Sequence, residues 1–266
     1  STNAAAQEGN LRTYSQSLTL DPGTYTVYAF ANIDATYSTE LYNNIIIGIE
    51  KGETLPSLAG IVLDDPAAKI DFNDADGDGS RHFIPMSAVP LTVTVTPATT
   101  GISIGLDRLV SKVRISLQGA SAPSATGLTF SGWADRVALL STNAAPAGVD
   151  YDGGRTFSQA EVAATGGLEF YVNETVAHAA PFAVSVTTSN RGGTTYTATT
   201  ARHDLPRNSI YPLVLTLDDY GLDIRVQCWV SPIGSYPVPV VATLDPNTYE
   251  VKLPEGAQFQ FDINGV

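Results

Sequence analysis

The segment RNSIYPLVLTLDDYGLDIRVQCWVSPIG, residues 207–234, decides the fold. Apolar side chains alternate through Tyr211, Leu213, Leu215 and Leu217, the pattern breaks at Asp218, Asp219 and Gly221, and it resumes through Leu222, Ile224, Val226, Cys228 and Val230. A period of two bounded by Asp and Gly specifies a β-hairpin with one buried face, because a helix would scatter these side chains around its axis. Asp223, Arg225, Gln227 and Trp229 occupy the opposite face, toward water or another element.

The rest of the chain repeats this grammar. Short strand patterns are expected at Thr24–Ala31, Leu91–Val95, Ile102–Leu117 (interrupted around Asp107-Arg108), Leu128–Trp133, Val137–Leu140, Leu168–Val172, Phe182–Thr187 and Thr195–Thr199, with turn residues between them. The tail adds Val238–Leu244, Tyr249–Leu253 and Phe259–Ile263. Asp21-Pro22-Gly23 reads as the turn of a first hairpin over 18–31, Ile45–Ile49 as either a buried strand or a helical turn, Leu55–Leu63 as a short helix, and Phe83–Met86 as an edge segment, since proline cannot donate to a ladder. No sustained helical period occurs. We therefore expect an all-β protein of two tandem antiparallel β-sandwiches, 1–119 and 120–266, divided at the small-residue stretch Gly119–Thr126.

Composition narrows function. The 266 residues carry 27 acidic against 14 basic side chains, a net charge of −13, which repels a phosphate backbone and argues against nucleic-acid binding. One cysteine, Cys228, precludes an internal disulfide framework and reads as a small core residue. No apolar run approaches the length needed to span a bilayer, and Ser1-Thr2-Asn3-Ala4 resembles no signal peptide, so the expectation is either a cytosolic chain or one whose leader lies upstream.

Three motifs invite chemistry. Gly101-Ile102-Ser103-Ile104-Gly105 matches the G-x-S-x-G nucleophile elbow, but more strand and no helix is expected after the serine, and His82, His178 and His203 show no clustering around it. No enzyme is expected. Asp74, Asp76 and Asp78 form the opening of a calcium loop; the twelfth position is Pro85 instead of a bidentate Glu, which leaves a solvated acidic turn or a weak oxygen-ligated calcium site as alternatives. Most tyrosines fall inside strand patterns, whereas Trp229, out of phase with the buried set, and Tyr236, in the loop beyond it, are candidate exposed aromatics for a surface carbohydrate- or host-binding module.

In order along the chain, LDPGTYTVYAFAN (20–32), FIPMSA (83–88), LDRLVSKVRISL (106–117), FYVNET (170–175), RNSIYPLVLTL (207–217) and Cys228-Trp229-Val230-Ser231-Pro232 resemble the fimbrillins of Bacteroidales, the subunits of type V pili. Each motif alone is strand-and-turn chemistry. The resemblance implies two transthyretin-like sandwiches, export as a lipoprotein, and a place on the outer membrane or in an extracellular fimbrium as a stalk or tip subunit, with other pilin subunits as partners. It also implies an Arg-specific protease that removes a leading strand, so that the opened groove accepts a strand from another subunit; strand addition of this kind draws affinity from main-chain hydrogen bonds and register from alternate side chains. Arg12 is the only upstream arginine and hence the candidate processing site, although the strand usual before the first turn is reduced here to Leu11–Tyr14. Phe259, Phe261 and Ile263 alternate as a donor strand would, and equally as a last strand paired within its own domain.

Overall fold

The computed structural model describes residues 6–8, 11–13, 19–50, 53–73, 75, 77, 80–99, 101–140, 144–164, 167–190, 193–201, 203–218, 221–226, 243–244 and 251–252, with the backbone alone of 6–8, 11–13, 223–226, 243–244 and 251–252. The strands are β1 (Ala6–Glu8), β2 (Leu11–Thr13), β3 (Gly23–Val27), β4 (Phe30–Ala31), β5 (Val62–Asp64), β6 (Met86–Ser87), β7 (Leu91–Val95), β8 (Asp107–Arg108), β9 (Val110–Gln118) and β10 (Ala125–Trp133). They continue as β11 (Arg136–Ala138), β12 (Gly153–Ser158), β13 (Leu168–Asn173), β14 (Ala183–Thr188), β15 (Thr195–Thr199), β16 (Ile210–Asp218), β17 (Gly221–Val226), β18 (Thr243–Leu244) and β19 (Val251–Lys252). Among the described residues helix is confined to short pieces, chiefly α1 (Thr39–Leu41), which runs into a π turn at Tyr42–Ile46, and α2 (Gln159–Val162). The chain is all-β.

The C-terminal part is a two-layer sandwich. One sheet has the order β13-β9-β16-β17 and the other β12-β10-β14-β15. Tyr211, Leu213, Leu215 and Leu217 of β16 are all buried, as their period of two requires, and β16 forms the expected hairpin with β17. They meet Val113 and Ile115 from their own sheet and Leu128, Phe130, Phe157, Val184 and Val186 from the facing one. Phe130 stacks on Trp133 with ring centroids 5.6 Å apart and meets Phe170 edge-on at 5.8 Å, so aromatic contacts join the layers. One pairing is not antiparallel: β16 runs parallel to β9, with Leu213 opposite Ile115. Gly119, at φ +106, ends β9 where a Cβ would fall 2.4 Å from the Leu217 carbonyl oxygen.

The N-terminal part is assembled from smaller pieces. β3 pairs with β7 in a two-stranded ribbon, β4-β6-β8 make a three-stranded sheet, and β5 pairs with β11. A second core gathers Ile33, Tyr37, Leu41 and Ile45 with Leu58, Leu63, Leu109, Val137 and Leu139. Relative to the division expected at 119/120, β9 lies on the N-terminal side yet pairs within the C-terminal sandwich, while Val137 and Leu139 lie on the C-terminal side yet pack into the N-terminal core.

Several local expectations are corrected. The partner of Gly23–Val27 is β7, about seventy residues on, so no hairpin spans 18–31 among the described residues. The ambiguous run 45–49 resolves as helical: Ser38 caps α1 by accepting from the Leu41 amide at 3.2 Å, and the π turn carries Ile45 inward. Leu55–Leu63 is not helical and ends in β5. β6 is the middle strand of its sheet; Pro85 escapes the donor problem by lying just before it and accepting, through its carbonyl, from the Leu109 amide at 2.9 Å.

Candidate subunit interface

The β3–β7 ribbon has two unlike faces. Register places Tyr25 opposite Val93 and Val27 opposite Leu91 on one face, and Thr24 opposite Thr94 and Thr26 opposite Thr92 on the other. Alternation of this kind normally buries its apolar row. Here no residue of either strand is fully buried: Tyr25, Val27, Val93 and Val95 are half-covered, and Leu91 is 37% exposed. Leu20, Val89 and Ile102, in the segments adjoining the two strands, add exposed apolar surface, Val89 at 66%. The Tyr25 hydroxyl donates to the Asp21 carbonyl at 2.8 Å, which anchors the turn at the head of β3. Within the described residues the ribbon is a sheet lacking part of its cover, and an apolar row beside a short sheet is what an added strand with alternate apolar side chains would complete.

A polar clasp ties the two cores together. Arg207 forms a two-pronged ion pair with Glu174, Nε to Oε1 at 2.9 Å and Nη2 to Oε2 at 2.5 Å, with both side chains only 8% exposed. Its guanidinium also donates to the Ala138 carbonyl at 2.8 Å, and more weakly to the Leu139 carbonyl and the Ser87 hydroxyl. Every direction of the charge is therefore answered. Asn208, at φ +57, accepts from Arg108 at 3.0 Å and donates to Asp107 at 2.9 Å, while Asn173 donates to Asp65 and the Ala134 carbonyl and accepts from the Ala67 amide. The FYVNET and RNS segments are thus where the sandwich grips the N-terminal region.

The other sequence candidates fall as follows. Asp74, Asp76 and Asp78 lie outside the described residues. On either side of them in the chain, Asp71 and His82 exchange backbone hydrogen bonds at 2.9 and 2.7 Å, and buried His82 meets the Asp34 carboxylate at 3.1 Å. Beside it the Tyr37 hydroxyl donates to the Phe83 carbonyl at 2.7 Å, and its pKa is pushed well up by burial and by Asp34. Among the described residues no three His, Cys, Asp or Glu side chains converge as a metal cluster would require. Arg12 sits in β2 with its backbone opposite Gln7 of β1. Trp229, Tyr236, Phe259, Phe261, Ile263 and Cys228 lie outside the described residues. Ser103 of the G-x-S-x-G run lies in 101–106, which has no regular secondary structure, so the strand expected from Ile102 starts only at β8, and no helix follows the serine there.

Sequence reasoning did not single out an exposed aromatic group at the seam of the two regions. Phe72 and Phe83, 40% and 48% exposed, lie 6.2 Å apart, and Phe72 meets Tyr171 of β13 edge-on at 6.1 Å. Phe83 carried no signal beyond its place in FIPMSA.

A two-layer β-sandwich clasped to a second, smaller β-rich core defines the class of fold, and solved structures share it. It is similar to the tip fimbrial protein Mfa3 of Porphyromonas gingivalis with C-terminal truncation, at 14% identity, TM-score 0.51, covering 81% of this chain and 86% of that one. It is likewise similar to a fimbrial assembly protein of Parabacteroides distasonis, at 13% identity, TM-score 0.52, covering 94% of this chain and 81% of that one. No family model matches the sequence, and no curated protein does. The fold is therefore that of solved Bacteroidales fimbrial proteins, in keeping with the resemblance carried by the six sequence motifs.

Proposed function

We propose that this chain is a non-enzymatic structural subunit of a cell-surface fimbria, joined to neighbouring subunits by strand addition at the β3–β7 ribbon. The observation that carries the proposal is the row Tyr25, Val27, Leu91, Val93 and Val95, alternating in register yet incompletely covered. The fold shared with fimbrial proteins supports it. In this reading Arg12 is the site at which an Arg-specific protease frees the leading segment, and the tail strand with Phe259, Phe261 and Ile263 is the donor to the next subunit. The subunit then belongs to an outer-membrane-anchored or extracellular fimbrium, in a stalk or tip position.

Treatment of the precursor with an Arg-specific protease, followed by electrophoresis without boiling, tests this. Denaturant-resistant ladders are expected, lost in Arg12→Ala and in a chain lacking 256–266. Monomer alone from the treated full-length chain would remove the proposal. A second reading, a surface carbohydrate- or host-binding module, draws on exposed Phe72 and Phe83 beside Tyr171; glycan-array binding lost in Phe72→Ala with ladder formation intact would favour it.

A further inference from the structure

One stretch of strand pattern is left without a ladder. The alternation that leads into β9 starts at Ile102, yet 101–106 has no regular secondary structure and pairing begins only with β8. Its place is set at both ends. β6 lies between β4 and β8, β3 leads into β4 and β6 leads into β7, so 101–106 enters β8 along the edge of β7 that faces away from β3. At the other end the Thr99 amide donates to the Thr96 carbonyl at 2.9 Å, closing a turn over Pro97-Ala98 that sends the chain back beside β7. Among the described residues no backbone hydrogen bond joins 101–106 to β7.

The two anchors fix one register. At the base Ser87 stands opposite Asp107, and at the tip Thr96 stands opposite Thr99. Between these anchors the β6–β7 side is one residue longer, which a single bulge absorbs. The edge toward β3 shows the same step: Ser87 pairs with Phe30 but Leu91 with Val27, so 88–90 face only 28–29. With the bulge at 88–90 shared by both edges, Leu91 falls opposite Ile104, Thr92 opposite Ser103, Val93 opposite Ile102 and Thr94 opposite Gly101. Ile102 and Ile104 then extend the apolar row of Tyr25, Val27, Leu91 and Val93, and Ser103 joins the threonines of the other face. A register without the bulge would set Ile102 opposite Thr92 and Ser103 opposite Leu91, mixing the two rows.

The turn explains why the ladder is open. The Thr96 amide, which a hairpin would give to the Thr99 carbonyl, goes instead to the Thr99 hydroxyl at 3.0 Å. Pro97 fixes a negative φ at the first central position, the hand of type I and II turns, and turns of that hand splay paired strands. Ile102 is left 40% exposed, and a Cβ on Gly101 or Gly105 would meet nothing within 4 Å. We propose that 101–106 is a strap that zips onto this edge of β7 in the bulged register, so that β3 is the edge left for an added strand. Both ends of the strap are already held, so closure costs little loop entropy and outcompetes a strand arriving at β7 from solution. Among the described residues β3 pairs only with β7. The assignment of β3 rests on the strand-addition reading, whereas the strap is a property of the single chain.

Cysteine pairs in a Cys228→Ser background of the full chain test the strap. Thr92→Cys with Ser103→Cys should oxidise within the monomer, because residues directly opposite on paired strands suit a disulfide. Thr92→Cys with Ile102→Cys, opposite only in the register without the bulge, should oxidise about tenfold more slowly. Pro97→Asn with Ala98→Gly, a turn of the matching hand, should speed the first pair further. Equal rates for the two pairs, or free thiols retained in both, overturn the strap; thermal melts control for folding in each variant. After cleavage with the Arg-specific protease, the chain locked by the Thr92→Cys, Ser103→Cys disulfide should form ladders as readily as its reduced form. Ladders that appear only on reduction would give β7 to the added strand and overturn the assignment of β3. No ladders in either form would remove the strand-addition reading and the assignment of β3 with it, while the oxidation rates still decide the strap.

Discussion

The C-terminal sandwich and the β3–β7 ribbon are written in the same alternating chemistry but reach different ends. β9, β10 and β16 each run nine residues and bury their inward side chains against a facing sheet. β3 and β7 each run five residues, and their apolar row stays half-covered. The difference teaches where each region's free energy is realised. The sandwich completes its burial within the described chain, whereas the ribbon keeps apolar surface that further strand pairing would remove from water.

The largest expected effects lie in the sandwich. Phe130→Ala should cost about 3–5 kcal/mol in denaturant unfolding, whereas Val27→Ala in the ribbon should cost under about 1 kcal/mol; comparable losses at both sites would erase the contrast. Arg207→Ala strands the Glu174 carboxylate in a shielded site and should cost about 3–5 kcal/mol, while Arg207→Met with Glu174→Leu recovers much of that loss. Because the clasp reaches the Ala138 carbonyl, the single variant should also lower amide protection in β5 and β11 more than in β10 and β14.

How far these contrasts were legible in the sequence depended on the range of the interaction that creates them. The 211–226 hairpin and the strands around 128–133, 168–172, 183–188 and 195–199 announce themselves through alternation, a local signal. The partner of β3 does not, because pairing with residues 91–95 is decided by tertiary context, and the parallel docking of β16 on β9 is equally invisible to period. β12 and α2 could have been found: Ser158-Gln159-Ala160-Glu161 spells a capping box, and both of its reciprocal hydrogen bonds form. The clasp is not legible in the sequence, since Glu174 and Arg207 at strand ends look like surface charge until the fold shields them. The half-covered face was not foreseeable either, for alternation gives the face but not what covers it.

Two smaller predictions sharpen the same contrast. Ser158→Ala removes the α2 cap and should cost about 1 kcal/mol, measured by thermal unfolding, with no effect on ladder formation. His178, whose ring stacks on Tyr151 with centroids 3.8 Å apart, has its pKa lowered by burial and by nearby His203. It binds its proton less readily folded than unfolded, so its contribution to stability is full above the ordinary value of 6.5 and is lost as pH falls through the lowered folded value. His178→Gln should flatten that dependence in melts recorded from pH 7.5 downward, by a fraction of the core effects.

Hydrogen exchange on the processed chain, compared before and after it assembles, tests the account most directly. Assembly should raise amide protection in 23–27 and 91–95 while leaving 125–133, 183–188 and 210–218 unchanged. Assemblies that form with the ribbon amides exchanging as they do in the monomer would contradict strand addition at this edge.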